Sequence, residues 1–143
     1  MTFSTMVQVR FAHVDAAAIV FYPRYFEMLN GAVEDWFAAL GWDFRTLHVD
    51  RRMAVPTVKL ECEFVAPSEL GDILTITVAP TKVGRSSCTL SFGVSGNGKE
   101  RLRAKAILVC MNIATQKSMP WPEDLRAKMV DGQDPISCPS TPT

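Results

Sequence analysis

The spacing of apolar residues changes period along the chain. Val7, Val9 and Phe11 face one way and Met6, Gln8 and Arg10 the other, the alternation of a half-buried strand over Met6–Phe11. From Phe26 the interval lengthens: Phe26, Leu29, Val33, Trp36, Phe37 and Leu40 recur every three or four residues, with Glu27, Asn30, Glu34 and Asp35 mostly elsewhere on the wheel. This predicts a helix with a broad apolar face. Pro23 suits the first helical position, where its missing N–H is no loss, and Gly41 suits the residue after the last turn. From Pro23 to Leu40 such a helix runs about 27 Å, at ~1.5 Å per residue.

Period two then returns. Val58, Leu60, Cys62 and Phe64 alternate with Thr57, Lys59, Glu61 and Glu63, and Leu74, Ile76 and Val78 with Ile73, Thr75 and Thr77, the turn between them lying at Pro67–Asp72. Cys88, Leu90, Phe92 and Val94 form a further strand, Ser95–Gly98 a hairpin loop, and Leu102, Ala104, Ala106, Leu108 and Cys110 alternate with Arg101, Arg103 and Lys105. The outward face of this last strand then becomes Ile107, Val109 and Met111, an apolar patch that reads as a subunit interface. A short helix is expected from Trp121 to Met129, acidic at its start and basic at its end, as the helix dipole favours. Residues 1–130 thus form a single domain, and the Gly, Gln, Pro, Ser and Thr of 131–143 read as a disordered tail. Strand, long helix, then four strands predicts an α+β fold, an antiparallel sheet of about five strands wrapped around one central helix.

At 143 residues and 48% hydrophobic, the chain supports one real core. Lys plus Arg equals Asp plus Glu at 15 each, which argues against nucleic acid or an anionic membrane as partner. The opening MTFSTMVQVR is not leader-like, and no stretch approaches the roughly 18 apolar residues of a membrane span; a cytoplasmic location is expected. Cys62, Cys88, Cys110 and Cys138 are widely spaced without a C-x-x-C pair, and the first three fall in apolar alternations, which fits buried thiols. No metal or redox cofactor is implied.

The informative segment is Phe11–Tyr25, FAHVDAAAIVFYPRY, in which a strand ends, a carboxylate follows and a helix begins. A helix N-terminus offers unpaired N–H groups and partial positive charge, so a carbonyl held there is polarised; the nearest donors are the amides of Tyr22, Arg24 and Tyr25. A carboxylate across that carbonyl could attack it or deprotonate a water. Thioesters suit such a site because a thiolate leaves without a strong general acid. There is no G-x-S-x-G elbow, and only His13 and His48 are available as histidines. An Asp before a helix is often merely a turn or capping residue. Asp15 lies too far ahead of Pro23 to cap that helix, and the apolar run from Ala16 to Val20 places it beside buried surface. In an extended chain His13 and Asp15 would share a face.

This segment resembles the 4-hydroxybenzoyl-CoA thioesterase branch of the hotdog-fold acyl-CoA thioesterases, in the pattern Asp-x-x-Gly-Ile-Val-aromatic-Tyr-Pro-x-Tyr-Phe ahead of a long helix. The match spans about residues 5 to 125 in element order and is motif-specific over Asp15–Tyr25. The resemblance implies hydrolysis of an aryl or short- to medium-chain acyl-CoA to free acid and CoA, coenzyme A being part of the substrate. It implies Asp15 as nucleophile or general base, the Tyr22 amide as oxyanion donor, and an active site between two subunits of a homodimer or homotetramer. It points to Val55-Pro56-Thr57 as lining the acyl pocket, and to the loop Lys82–Ser87 for the CoA phosphates, with Arg85 the expected ligand and Lys82 and Ser86 beside it. Ala18 departs from the family's Gly, and His13 from its acidic residue; His13 could tune Asp15 or touch substrate. A hydroxyacyl-thioester dehydratase, which uses this fold with a histidine and an acid, and a non-catalytic acyl-CoA or lipid-binding module are the alternatives.

Overall fold

The computed structural model describes residues 2–133. Its elements are β1 (Phe3–Gln8), α1 (Tyr22–Ala39), β2 (Met53–Ala54), β3 (Thr57–Phe64), β4 (Ile73–Val83), β5 (Ser87–Gly96), β6 (Lys99–Val109), β7 (Met111–Asn112) and α2 (Glu123–Asp131). Five strands form one antiparallel sheet in the order β1-β4-β5-β6-β3, and β2 pairs with β7 beside it. The α+β architecture is the expected one, and the proposed tail lies almost wholly outside the described residues.

The buried face of α1 carries Tyr25, Met28, Leu29, Ala32, Val33, Trp36 and Phe37. It belongs to one core with Leu74, Ile76 and Val78 of β4, Leu90, Phe92 and Val94 of β5, and Leu102, Ala106 and Leu108 of β6. At ~1.5–3 kcal/mol for each large apolar side chain removed from water, this layer is the main attraction holding helix to sheet. The helix begins at Tyr22, with Pro23 second rather than first, and ends on Gly41 in the left-handed region at φ +87°. There Gly41 N–H donates to Ala38 O and Trp42 N–H to Phe37 O, closing the last turn. The β5–β6 hairpin turns on Asn97 (φ 52°) and Gly98 (φ 74°), the positive pair that a two-residue turn between twisted strands requires.

Four expectations need correction. β1 stops at Gln8 and Phe11–His13 is a 3-10 turn, so Phe11 is 83% exposed while Val9 stays buried. β4 runs on to Val83, so Lys82 belongs to a strand and the connection shrinks to residues 84–86. Cys88 and Cys110 are fully buried but Cys62 is only half-buried, and Cys138 lies outside the described residues. Arg101, expected outward with Arg103 and Lys105, is 5% exposed: its guanidinium binds Asp72 Oδ2 at 2.8 Å, Gly96 O at 3.0 Å and Pro67 O at 3.2 Å. A register shift between Val94 and Ser95 interrupts the β5–β6 pairing just where Arg101 would otherwise face out.

β3, an edge of the sheet, is the least covered strand. Val58 is 60%, Leu60 42% and Phe64 50% exposed in the single chain. Ile107, Val109 and Met111, the expected interface patch, are half-buried.

Candidate active site

Between the 3-10 turn and α1, residues Val14 to Val20 close on themselves through a Val14–Val20 bridge. Asp15 N–H donates to Ile19 O (3.0 Å), Ala18 N–H donates to Asp15 O (2.9 Å), and Ala17 N–H donates to Asp15 Oδ1 (2.8 Å). One carboxylate oxygen thus shapes its own turn; the other has no partner among the described residues. Asp15 is exposed in the single chain. Ala18 sits at φ 63°, a left-handed position where a Cβ is strained and glycine is not. That is a physical reason for glycine at this point of the motif.

The loop is laced to the β3–β4 turn. Val20 N–H donates to Ser68 O (2.9 Å), Leu70 N–H to Ala18 O (3.0 Å), and the Tyr25 hydroxyl lies 2.9 Å from the buried Ser68 Oγ. Asp72 Oδ2 accepts the Glu69 N–H at 2.8 Å together with Arg101, and these bonds hold its carboxyl below the usual range. Arg101 therefore supports the turn that supports the Asp15 loop.

His13 lies in the 3-10 turn and not in an extended chain, so its two-residue spacing from Asp15 no longer sets a common face. Its Nδ1 accepts the Arg10 N–H at 2.8 Å and its carbonyl accepts the Phe21 N–H at 2.9 Å, so both groups tie the strand end to the helix start. Tyr22 is the first residue of α1, where an N–H has no carbonyl one turn earlier to receive it. Its ring joins an exposed aromatic cluster with Phe21 (5.6 Å), Phe64 (6.1 Å) and Phe26 (6.4 Å).

One turn further along the same helical stripe opens a cavity of about 480 Å³. Phe26, Leu29, Asn30 and Val33 form its helix wall, Thr57, Leu60, Phe92, Ala106 and Leu108 its sheet wall, and Phe44, His48, Ala54, Val55 and Pro56 its end. Val55, Pro56 and Thr57 all line this cavity. Asp15 and Tyr22 do not line this cavity within one chain; Tyr22 adjoins it through its ring contact with Phe26, and Asp15 stands seven residues before Tyr22 on the preceding loop. Lys82 lies elsewhere, with Lys59 and Lys105 around a depression of about 310 Å³. Arg85 is exposed on the 84–86 turn, which is pinned by Trp121 N–H to Arg85 O (2.9 Å) and Arg126 Nε to Gly84 O (3.0 Å). The half-buried Ser86 gives its carbonyl to Cys110 N–H at 2.8 Å. The structure does not gather Lys82, Arg85 and Ser86 around one point.

Sequence reasoning missed Asn30, Phe44, His48 and Phe64 as site candidates. Asn30 carried a signal, being a polar residue between Phe26 and Val33 on the apolar stripe. His48 carried none, because its position depends on a six-residue π-helical turn at Arg45–Asp50. Among the described residues no three His, Cys, Asp or Glu side chains are grouped to hold a metal ion. Burial pushes the Cys88 thiol up to about 12 and Cys110 up to about 11, which makes both poor nucleophiles.

The chain matches the thioesterase-like superfamily over residues 9–129. It is 30% identical over 119 residues to a 1,4-dihydroxy-2-naphthoyl-CoA hydrolase of Synechococcus elongatus, covering 82% of this chain and 88% of that protein. The fold is similar to that of a 1,4-dihydroxy-2-naphthoyl-CoA thioesterase from Synechocystis, with TM-score 0.84 and 23% identity over 94% of this chain and 100% of the other. It is also similar to that of a Staphylococcus aureus protein solved in complex with CoA, with TM-score 0.86 and 14% identity over 95% of this chain and 88% of the other.

Proposed function

This chain belongs to the thioesterase-like superfamily and is a thioester hydrolase, and from that premise we propose that it cleaves an aryl-CoA with Asp15 as the reacting carboxylate and the Tyr22 amide as oxyanion donor. The observation that supports the reading is the order of parts along one braced segment: a carboxylate with one unpartnered oxygen on its turn, then a helix whose first N–H is free to bind an oxyanion, then Phe26, which lines an apolar cavity. The rings of Phe26, Phe44 and Phe92 in that cavity suit an aromatic acyl group. The Synechococcus and Synechocystis relatives are named for a bicyclic aryl-CoA, 1,4-dihydroxy-2-naphthoyl-CoA.

In either of two routes the carbonyl oxygen takes up negative charge, and a donor at the helix start stabilises it. The free Asp15 oxygen attacks the carbonyl carbon, expelling CoA thiolate and leaving an anhydride that water opens to acid and regenerated carboxylate. Alternatively it takes a proton from a water that attacks instead. The CoA thiolate leaves without a general acid, so the site does not need His13.

A second copy of the chain completes the site. The uncovered β3 edge combines unpaired backbone groups with Val58, Leu60 and Phe64, surface that a partner would bury. Phe64 touches both Tyr22 and Phe26, so such an interface would run beside the Asp15 loop.

The test follows free thiol from wild type and Asp15→Asn on aryl and aliphatic acyl-CoAs. The expectation is preference for aryl substrates and a loss of about 10²–10⁴-fold in kcat in the variant. Undiminished activity in Asp15→Asn would refute the mechanism, and faster turnover of aliphatic substrates would refute the aryl assignment.

A further inference from the structure

The acyl cavity is apolar except for three side chains, the half-buried His48 and, exposed in the single chain, Asn30 and Thr57. A polar group lining such a pocket fixes the orientation and chemistry of what enters, because an occupant that displaces its water without replacing the hydrogen bond is penalised. His48 is the most constrained of the three. Its Nδ1 lies 2.9 Å from Phe44 O, four residues earlier in the same turn, and a carbonyl oxygen can only accept. Nδ1 therefore carries the proton in the neutral ring, and Nε2 is left as an acceptor with no partner among the described residues. The ring is held further by an edge contact with Phe44, centroids 4.8 Å apart.

The location along the cavity follows from the same contacts. Phe44 packs on Phe37 at 5.8 Å, and Phe37 lies fifteen residues beyond Tyr22, or about 22 Å along the helix. His48 therefore stands at the end remote from Tyr22. Asn30, about 12 Å from Tyr22 along the same helix, stands between the two; it is exposed in the single chain, with its amide available to a substrate.

We propose that His48, oriented by the Phe44 carbonyl and assisted by Asn30, is a specificity-determining residue that accepts a hydrogen bond from a hydroxyl on the far ring of an aromatic acyl group. This rests on the aryl-CoA reading above and adds to it the chemical feature recognised and the residues that recognise it. A phenol is matched to the site: it donates one strong hydrogen bond, stays neutral at pH 7, and its ring fills the apolar walls. An unsubstituted ring that fills the cavity displaces water from Nε2 without replacing its hydrogen bond, which sets the discrimination.

The experiment compares 6-hydroxy-2-naphthoyl-CoA with 2-naphthoyl-CoA in wild type, His48→Phe, His48→Gln and Asn30→Leu. It reads the ratio of the two kcat/KM values within each enzyme, so that a general loss from damaged folding cancels. Wild type is expected to favour the hydroxylated substrate by about tenfold or more. The ratio falls to about one in His48→Phe, is partly kept in His48→Gln, whose amide oxygen still accepts, and drops in Asn30→Leu. A wild-type ratio near one, or a ratio unchanged in His48→Phe, overturns the proposal. A purely structural role for His48 would lower both rates and leave their ratio intact. Titration calorimetry of wild type and His48→Phe with the two free acids, 6-hydroxy-2-naphthoate and 2-naphthoate, separates this proposal from the hydrolytic one. Absence of thiol release would refute the hydrolysis, while a roughly tenfold affinity difference that vanishes in His48→Phe would still uphold the pocket; equal affinities in wild type would overturn it.

Discussion

Replacing Arg101 by methionine tests how much the buried ion pair behind the β3–β4 turn contributes to the stability of the fold. The methionine side chain fills much of the aliphatic volume but removes the guanidinium bonds to Asp72 at 2.8 Å, Gly96 O at 3.0 Å and Pro67 O at 3.2 Å. Breaking a buried pair from one side typically costs ~3–5 kcal/mol, because the remaining charge stays desolvated. Here Asp72 keeps 18% of its side-chain exposure and its bond from the Glu69 N–H, so the lower end, about 3 kcal/mol, is expected. Against a typical total of ~5–15 kcal/mol this is a large fraction. Urea denaturation followed by tryptophan fluorescence measures it. Asp72→Asn should cost about 2 kcal/mol, and the double variant less than the sum of the two.

The pH dependence of the same pair has a definite sign. Because the Asp72 carboxyl is held below its ordinary value of 3.8, first by the Arg101 hydrogen bond, the stability it supplies is complete above that value. It fades as the pH falls through the lowered folded value. The gap between wild type and Asp72→Asn should therefore be full at neutral pH and narrow in acid. A neutral-pH loss below about 1 kcal/mol for Arg101→Met, the worth of a solvated surface pair, would refute the reasoning.

Ala18→Gly should relieve the strain at φ 63° and stabilise the fold by up to about 1 kcal/mol, since the greater freedom of glycine when unfolded offsets part of the gain; a lowered denaturation midpoint would contradict it. Cys88 and Cys110, fully buried with thiols pushed up to about 12 and about 11, should resist iodoacetamide in native protein and be alkylated once it is unfolded. Peptide mass mapping checks this, and modification of either cysteine at native stability would count against their placement.

Much of this protein is written in local patterns. The period of apolar residues located α1 and the strands, because helix and strand each turn a fixed fraction of their side chains to one side, and that side must be buried. Gly41 and Asn97-Gly98 announced their turns by the backbone angles that only such residues adopt readily. The motif around Asp15 pointed to a thioesterase because its residue types and spacing are local. What local pattern cannot encode is which distant group meets a side chain. Arg101 reads like its solvated neighbours Arg103 and Lys105, and only the register shift beside it and an Asp72 twenty-nine residues away make it an interior cation. His13 reads as a possible partner for Asp15 until a 3-10 turn folds its ring back onto Arg10 N–H. Val58, Leu60 and Phe64 read as core by alternation, yet β3 ends up as a sheet edge on which they stay 60%, 42% and 50% exposed in the single chain. The cavity itself, with Asn30 from the helix and His48 from the turn after it facing strands that follow in sequence, exists only once helix and sheet have packed.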